Sequence, residues 1–160
     1  MNAKLKLYLA APLFSKAELD FNKRLGEQLQ LHFDVYLPQE DGGLMVNMIA
    51  RGMSAERAAH AVFNLDILAL KECDLLLIVM DGRAVDEGAA FELGFAHALG
   101  KPCYALQTDS RRLLPVGNNP MLTVPLRSIF TQVPDLITWA QSYDQHRPMP
   151  LTRETQRATI

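Results

Sequence analysis

No apolar run in this chain approaches the roughly 20 residues needed to cross a bilayer. Residues 1–9 alternate in a way that signal peptides do not. The expectation is a cytoplasmic protein with no membrane contact. Basic residues do not gather into a stripe and the formal net charge is only -2, so no electrostatic footprint for a nucleic-acid backbone is present. A small neutral or weakly charged ligand fits such a chain better than a polyanion. Cysteine is scarce: Cys73 and Cys103 sit inside apolar segments with no second Cys or His at metal-ligand spacing. That pattern suggests neither a zinc site nor a disulfide framework, and reads as two buried thiols. His32, His60, His97 and His146 show no pairing that suggests a metal or a catalytic dyad. Neither a P-loop nor a GxGxxG pattern occurs, which removes the usual evidence for nucleoside triphosphate and dinucleotide binding. Ser54, Ser110 and Ser128 lack a nucleophile-elbow context. Internal repeats and low-complexity stretches are also missing.

What is present suits one compact unit. The 160 residues, 49% of them hydrophobic, are enough to fill a single core without an external staple. Residues 4–10 (KLKLYLA) form a short apolar run stopped at Pro12, which reads as a first strand. Residues 15–31 carry Leu19, Phe21, Leu25, Leu29 and Leu31 at near-helical spacing, with Ser15 and Glu18 able to form a capping box. A second short strand, 33–37 (FDVYL), is closed by Pro38. The glycine-bearing stretch 39–52 reads as an irregular, ligand-facing loop.

Helical periodicity returns over 54–71, and 74–80 (DLLLIVM) is a continuous apolar run suited to a parallel strand covered on both faces. Asp81-Gly82 breaks that strand, 86–99 reads as a helix ended by Gly100, and 102–107 (PCYALQ) as a fourth strand. A short edge strand over 124–130, a last helix over 135–143 and a polar tail over 144–160 complete the reading. The alternation predicts an α/β fold: a three-layer sandwich around a central, mostly parallel sheet, Rossmann-like or flavodoxin-like. The domain would span 1–143, with ligands gathered beyond the carboxyl ends of the strands.

The segment 81–94 (DGRAVDEGAAFELG) concentrates acids at the end of a buried strand and in the following helix. Asp86 and Glu87 suit a helix first turn, where carboxylates answer the macrodipole. Glu92 is different: its helical neighbours three and four positions away are Gly88, Ala89, Phe95 and Ala96, and none is a cation for a surface pair. Small residues around it read as the low walls of a pocket. Tyr8 and Asp66, taken alone, leave core and functional readings both open.

Taken together, residues 8–14 (YLAAPLF), Pro38-Gln39, Asn64-Leu65-Asp66, the Asp-x-Gly-x-x-x-Glu-x-Gly segment 86–94 and Asn119-Pro120-Met121 resemble the ordered motifs of the nucleoside 2-deoxyribosyltransferase family. The resemblance implies that Glu92 is a nucleophile attacking C1' of a 2'-deoxynucleoside. Two inversions through a covalent deoxyribosyl ester would then retain configuration, with a free nucleobase as final acceptor. It implies Asp66 as proton donor to the departing base, assisted by Gln39, and Tyr8 as the residue that orients Glu92. Asp86, Gly88, Asn119 and Met121 would join Gln39 as substrate contacts, Asp86 and Asn119 at the sugar 5'-hydroxyl. Asn119 is implied to come from a neighbouring subunit, making a homo-oligomer, at least a dimer and by family analogy a hexamer, with shared active sites. Neither a metal nor an organic cofactor is implied.

The competing expectation is a 2'-deoxynucleoside 5'-monophosphate N-hydrolase, in which water replaces the acceptor base. Asp86 on the 5' side would repel a phosphate dianion and disfavours it. A non-catalytic nucleotide sensor, with Glu92 as a hydrogen-bond acceptor, is the other alternative, and the full set of acids argues against it.

Overall fold

A computed structural model describes residues 3–43, 45–111 and 117–143; the polar tail expected over 144–160 lies outside them. In chain order the elements are β1 (Lys6–Ala10), α1 (Lys16–Leu29), β2 (Asp34–Tyr36), α2 (Pro38–Asp41), α3 (Met45–Ala50) and α4 (Ala55–Glu72). There follow β3 (Leu75–Val79), α5 (Glu87–Ala98), β4 (Cys103–Leu106), α6 (Pro120–Thr123), β5 (Leu126–Phe130) and α7 (Val133–Ser142).

The strands form one sheet in the order β2-β1-β3-β4-β5, with every neighbouring pair parallel. Period-2 alternation splits each central strand between two cores. Leu7 and Leu9 of β1, with Leu75, Leu77 and Val79 of β3, pack under α1 and α7 around Leu25, Leu29, Leu136 and Ala140. Tyr8 and Ala10, with Leu76 and Ile78, pack under α4 and α5 around Leu70, Ala89, Leu93 and Ala96. Helices on both faces leave β3 with no exposed residue, which is why its sequence is an unbroken apolar run. The chain leaves β1 for β2 on one side and returns past β1 to β3 on the other. The crevice between the carboxyl ends of β1 and β3 is therefore the topological switch point, where ligands of such sheets bind.

Local signals in the sequence act as expected at several ends. Ser15 and Glu18 form a reciprocal capping box at the start of α1, a device of which the cap alone stabilises a helix by typically about 1 kcal/mol. Ser54 caps α4 by accepting from the Arg57 N–H. Cys73 and Cys103 are buried and unbridged, and burial pushes their thiols up to about 11 and about 12. Among the described residues no helix is long and apolar enough to cross a membrane.

Two expectations need correction. The stretch 39–52 is not an irregular loop: Pro38 starts α2 and the apolar run MVNMIA forms α3. Proline at a first helical position and a turn's worth of apolar residues outweighed the Gly42-Gly43 signal. Asp86 also lies outside the helix it was assigned to; it is the N-cap of α5, its carboxylate accepting from the Ala89 N–H at 2.8 Å.

Candidate active site

Tyr8 projects from β1 onto the α4/α5 face and is completely buried. Its hydroxyl donates to Glu92 Oε1 at 2.6 Å, a short distance of the kind charge-assisted bonds show. Glu92 sits in the second turn of α5 and reaches the interior strand β1 through this bond. Burial pushes its carboxyl up to about 7; the Tyr8 hydroxyl opposes that shift, and the nearby Asp66 and Asp86 carboxylates add to it. Burial and the Glu92 charge likewise hold the Tyr8 phenol far above its ordinary range, so Tyr8 stays a neutral donor.

Asp66 reaches the same place from α4. Its Oδ1 accepts from the Tyr36 hydroxyl at 3.1 Å, and burial raises its carboxyl above the usual carboxylate value, with the Tyr36 bond opposing. Asp66 and Glu92 line one cavity of about 380 Å³, together with Gly88, Met45, Phe63 and Phe91. The rest of its wall is aliphatic, from Ala59, Val62, Ile67 and Leu70. A partly apolar cavity with two convergent, raised carboxyls has the chemistry that acid-base or nucleophilic catalysis on a small organic ligand requires. Phe91 is 53% exposed and rests beside Phe63 and Phe95, with ring centroids 6.3 and 6.1 Å away.

The other expected residues are distributed around this centre. Asp86, at the mouth of α5, commits one carboxylate oxygen to the cap, and its charge is felt at Glu92. Gly88 lets that cap close, since a Cβ there would stand 3.1 Å from Asp86 Oδ1. Gln39 is not brought to the cavity of Glu92 and Asp66. Its amide donates to the Leu19 carbonyl and accepts from Asn22, a buried residue that also donates to the Pro12 carbonyl. Asn119 caps α6 by accepting from the Met121 N–H, and both residues are exposed, Met121 at 80%. Asn119 lines a separate cavity with Val85, Ala90 and Asn118, so within one chain it does not join Glu92. Of the small residues in α5, Ala89 and Ala96 are buried against the sheet, whereas Gly94 faces open space.

Sequence reasoning missed Tyr36, read only as part of a strand. The signal was available in the parallel between Tyr8-Leu9 before Pro12 and Tyr36-Leu37 before Pro38. It also missed Asn22 and the aromatic pair Phe63 and Phe91.

Fold and site together define a doubly wound α/β protein with two carboxylates, Asp66 and Glu92, meeting in one cavity between α4 and α5. Comparison with known proteins places it more narrowly. The sequence matches the nucleoside 2-deoxyribosyltransferase family over residues 7–149, and the chain belongs to that family. A conserved protein from Enterococcus faecalis V583 is 27% identical and superposes with a TM-score of 0.71, over 88% of this chain and 99% of that one. The 2-deoxyribosyltransferase of the psychrotolerant Bacillus psychrosaccharolyticus is 23% identical, with a TM-score of 0.72 over 92% of this chain and 99% of that one. The CMP N-glycosidase of Clostridium botulinum is 20% identical, with a TM-score of 0.52 over 85% and 98%. The last two share the fold.

Proposed function

We propose that the protein transfers 2-deoxyribosyl groups between nucleobases of 2'-deoxynucleosides by double displacement. The observation that carries this reading is the meeting of Glu92, aimed by Tyr8, and Asp66 at one cavity with a largely apolar wall. A carboxylate oxygen of Glu92 attacks C1', the bond from C1' to the base nitrogen breaks, and Asp66 delivers a proton to that nitrogen. A second base then attacks C1' from the opposite side, the ester bond breaks, and the proton lost by the incoming base returns to Asp66. Positive charge developing at C1' is stabilised by a carboxylate held out of water. Burial raises the Asp66 carboxyl, the direction a proton donor needs, and positioned acid catalysis is worth typically about 10²- to 10⁴-fold.

Asp86 keeps one carboxylate oxygen for the sugar 5'-hydroxyl. Gly88, lining the cavity beside Glu92, lets the sugar come close. Asn119 and Met121, exposed on their own chain, serve a neighbouring subunit's site in a homo-oligomer, dimeric at least. The protein acts in the cytoplasm.

The test is incubation with 2'-deoxyinosine and free adenine, followed by chromatography. We expect 2'-deoxyadenosine and hypoxanthine with the native protein and neither with Glu92→Ala. A mass increment of one deoxyribosyl group, lost from the peptide bearing Glu92 when adenine is added, would identify the ester. Hypoxanthine without 2'-deoxyadenosine would make water the acceptor and overturn the transferase reading.

A further inference from the structure

Tyr8 and Tyr36 stand directly opposite one another in the parallel register of β1 and β2. Side chains opposite in adjacent strands leave the same face about 4.8 Å apart. The two rings stack accordingly, with centroids 5.3 Å apart and planes inclined by 24°. Each hydroxyl then ends on a different carboxylate carried by a different helix: Tyr8 on Glu92 of α5, and Tyr36 on Asp66 of α4. Gly42, at the end of α2, closes over the second pair. A Cβ there would lie 2.7 Å from Asp66 Oδ1 and 3.1 Å from the Tyr36 hydroxyl.

We propose that Tyr36 is a positioning residue for the proton donor: its hydroxyl, stacked in register beside Tyr8, fixes Asp66 at a set offset from Glu92 and directs the proton to the free oxygen of Asp66. This rests on the donor role given to Asp66 above. A tyrosine needed only for packing could be phenylalanine, because the stack is made by the rings. The hydroxyl adds a donor to one carboxylate oxygen, and a protonated carboxyl then carries its hydrogen on the other. Such a bond also favours the ionised form. It therefore works against burial, which would otherwise raise Asp66 further. The other ionisable groups facing this pair are Tyr8 from β1, Asp41 from α2 and Glu92 from α5. All are neutral or acidic, so none supplies the attraction that Tyr36 provides.

The test follows the ¹³C carboxyl resonance of Asp66, assigned with Asp66→Asn, through a pH titration of the full chain. In Tyr36→Phe the Asp66 midpoint should rise by about one unit, the size expected when a hydrogen bond to a charged group is lost. Replacing Tyr36 by 3-fluorotyrosine, nearly the same shape but a stronger donor, should move it the opposite way. In base exchange, Tyr36→Phe should lower kcat roughly tenfold, the factor that one unit of lost pKa difference corresponds to, with KM nearly unchanged. It should cause no further loss when added to Asp66→Asn. An Asp66 midpoint that ignores both replacements, or moves the same way in both, overturns the proposal. So does an equal kcat loss in the Asp66→Asn background. If the native protein exchanges no bases, the transferase reading fails, and the titration still decides whether Tyr36 governs Asp66.

Discussion

Glu92 shows how one side chain can be wanted by the chemistry and resisted by the fold. A buried carboxyl raised to about 7 binds a proton more tightly in the folded chain than in the unfolded one. Folding is then helped by that proton at pH below the unfolded value near 4.5, and this help is lost as pH climbs through about 7. Glu92→Gln keeps an acceptor for the Tyr8 hydroxyl and cannot ionise. Its melting temperature should match the native protein near pH 4 and exceed it increasingly up to pH 8, by on the order of 1–3 kcal/mol in stability. A difference that stays flat with pH in parallel thermal melts would contradict the raised carboxyl. The nucleophile candidate was legible from its neighbours in sequence, because the Asp-x-Gly-x-x-x-Glu-x-Gly spacing is local. Tyr36 was not, because nothing in a single strand says which residue lies opposite it.

At the scale of elements, two glycines with the same sequence appearance have opposite structural weight. Gly42 ends α2 at φ -78°, a conformation open to any residue, so its constraint is purely one of space. An added Cβ would meet the Pro38 carbonyl at 2.9 Å as well as Asp66. Gly94 sits within α5 with nothing within 4 Å. In thermal denaturation, Gly42→Ala should cost about 1–3 kcal/mol by overpacking. Gly94→Ala should instead gain roughly 0.5–1 kcal/mol from helix propensity. Helices α1, α4 and α5 and all five strands were legible to within a few residues, since caps and periodicity act locally. The pair α2 and α3 was not: helices this short owe their form to what they pack against, and α3 leans on α4.

For the whole molecule, the separation of Asn119 from Glu92 within one chain sets a test of the shared site. Glu92→Ala and Asn119→Ala should each be nearly inactive alone. When their subunits are mixed and allowed to exchange, about a quarter of native activity should return if one subunit completes its neighbour's site in a dimer. Activity equal to the sum of the two separate variants would place Asn119 outside the site. By itself the sequence determined the α/β class, the order of the main elements and the Asp86 to Gly94 segment. These follow from hydrophobic period, caps and residue spacing, all read along the chain. Only the tertiary structure decided that β1 lies between β2 and β3, and with it that Tyr8 faces Tyr36. It also decided that Asp66 and Glu92 share a cavity while Gln39 turns to α1. Those outcomes depend on which strands pair and in what register. That choice is made by burying two faces of one sheet at once, and no stretch of sequence carries it alone.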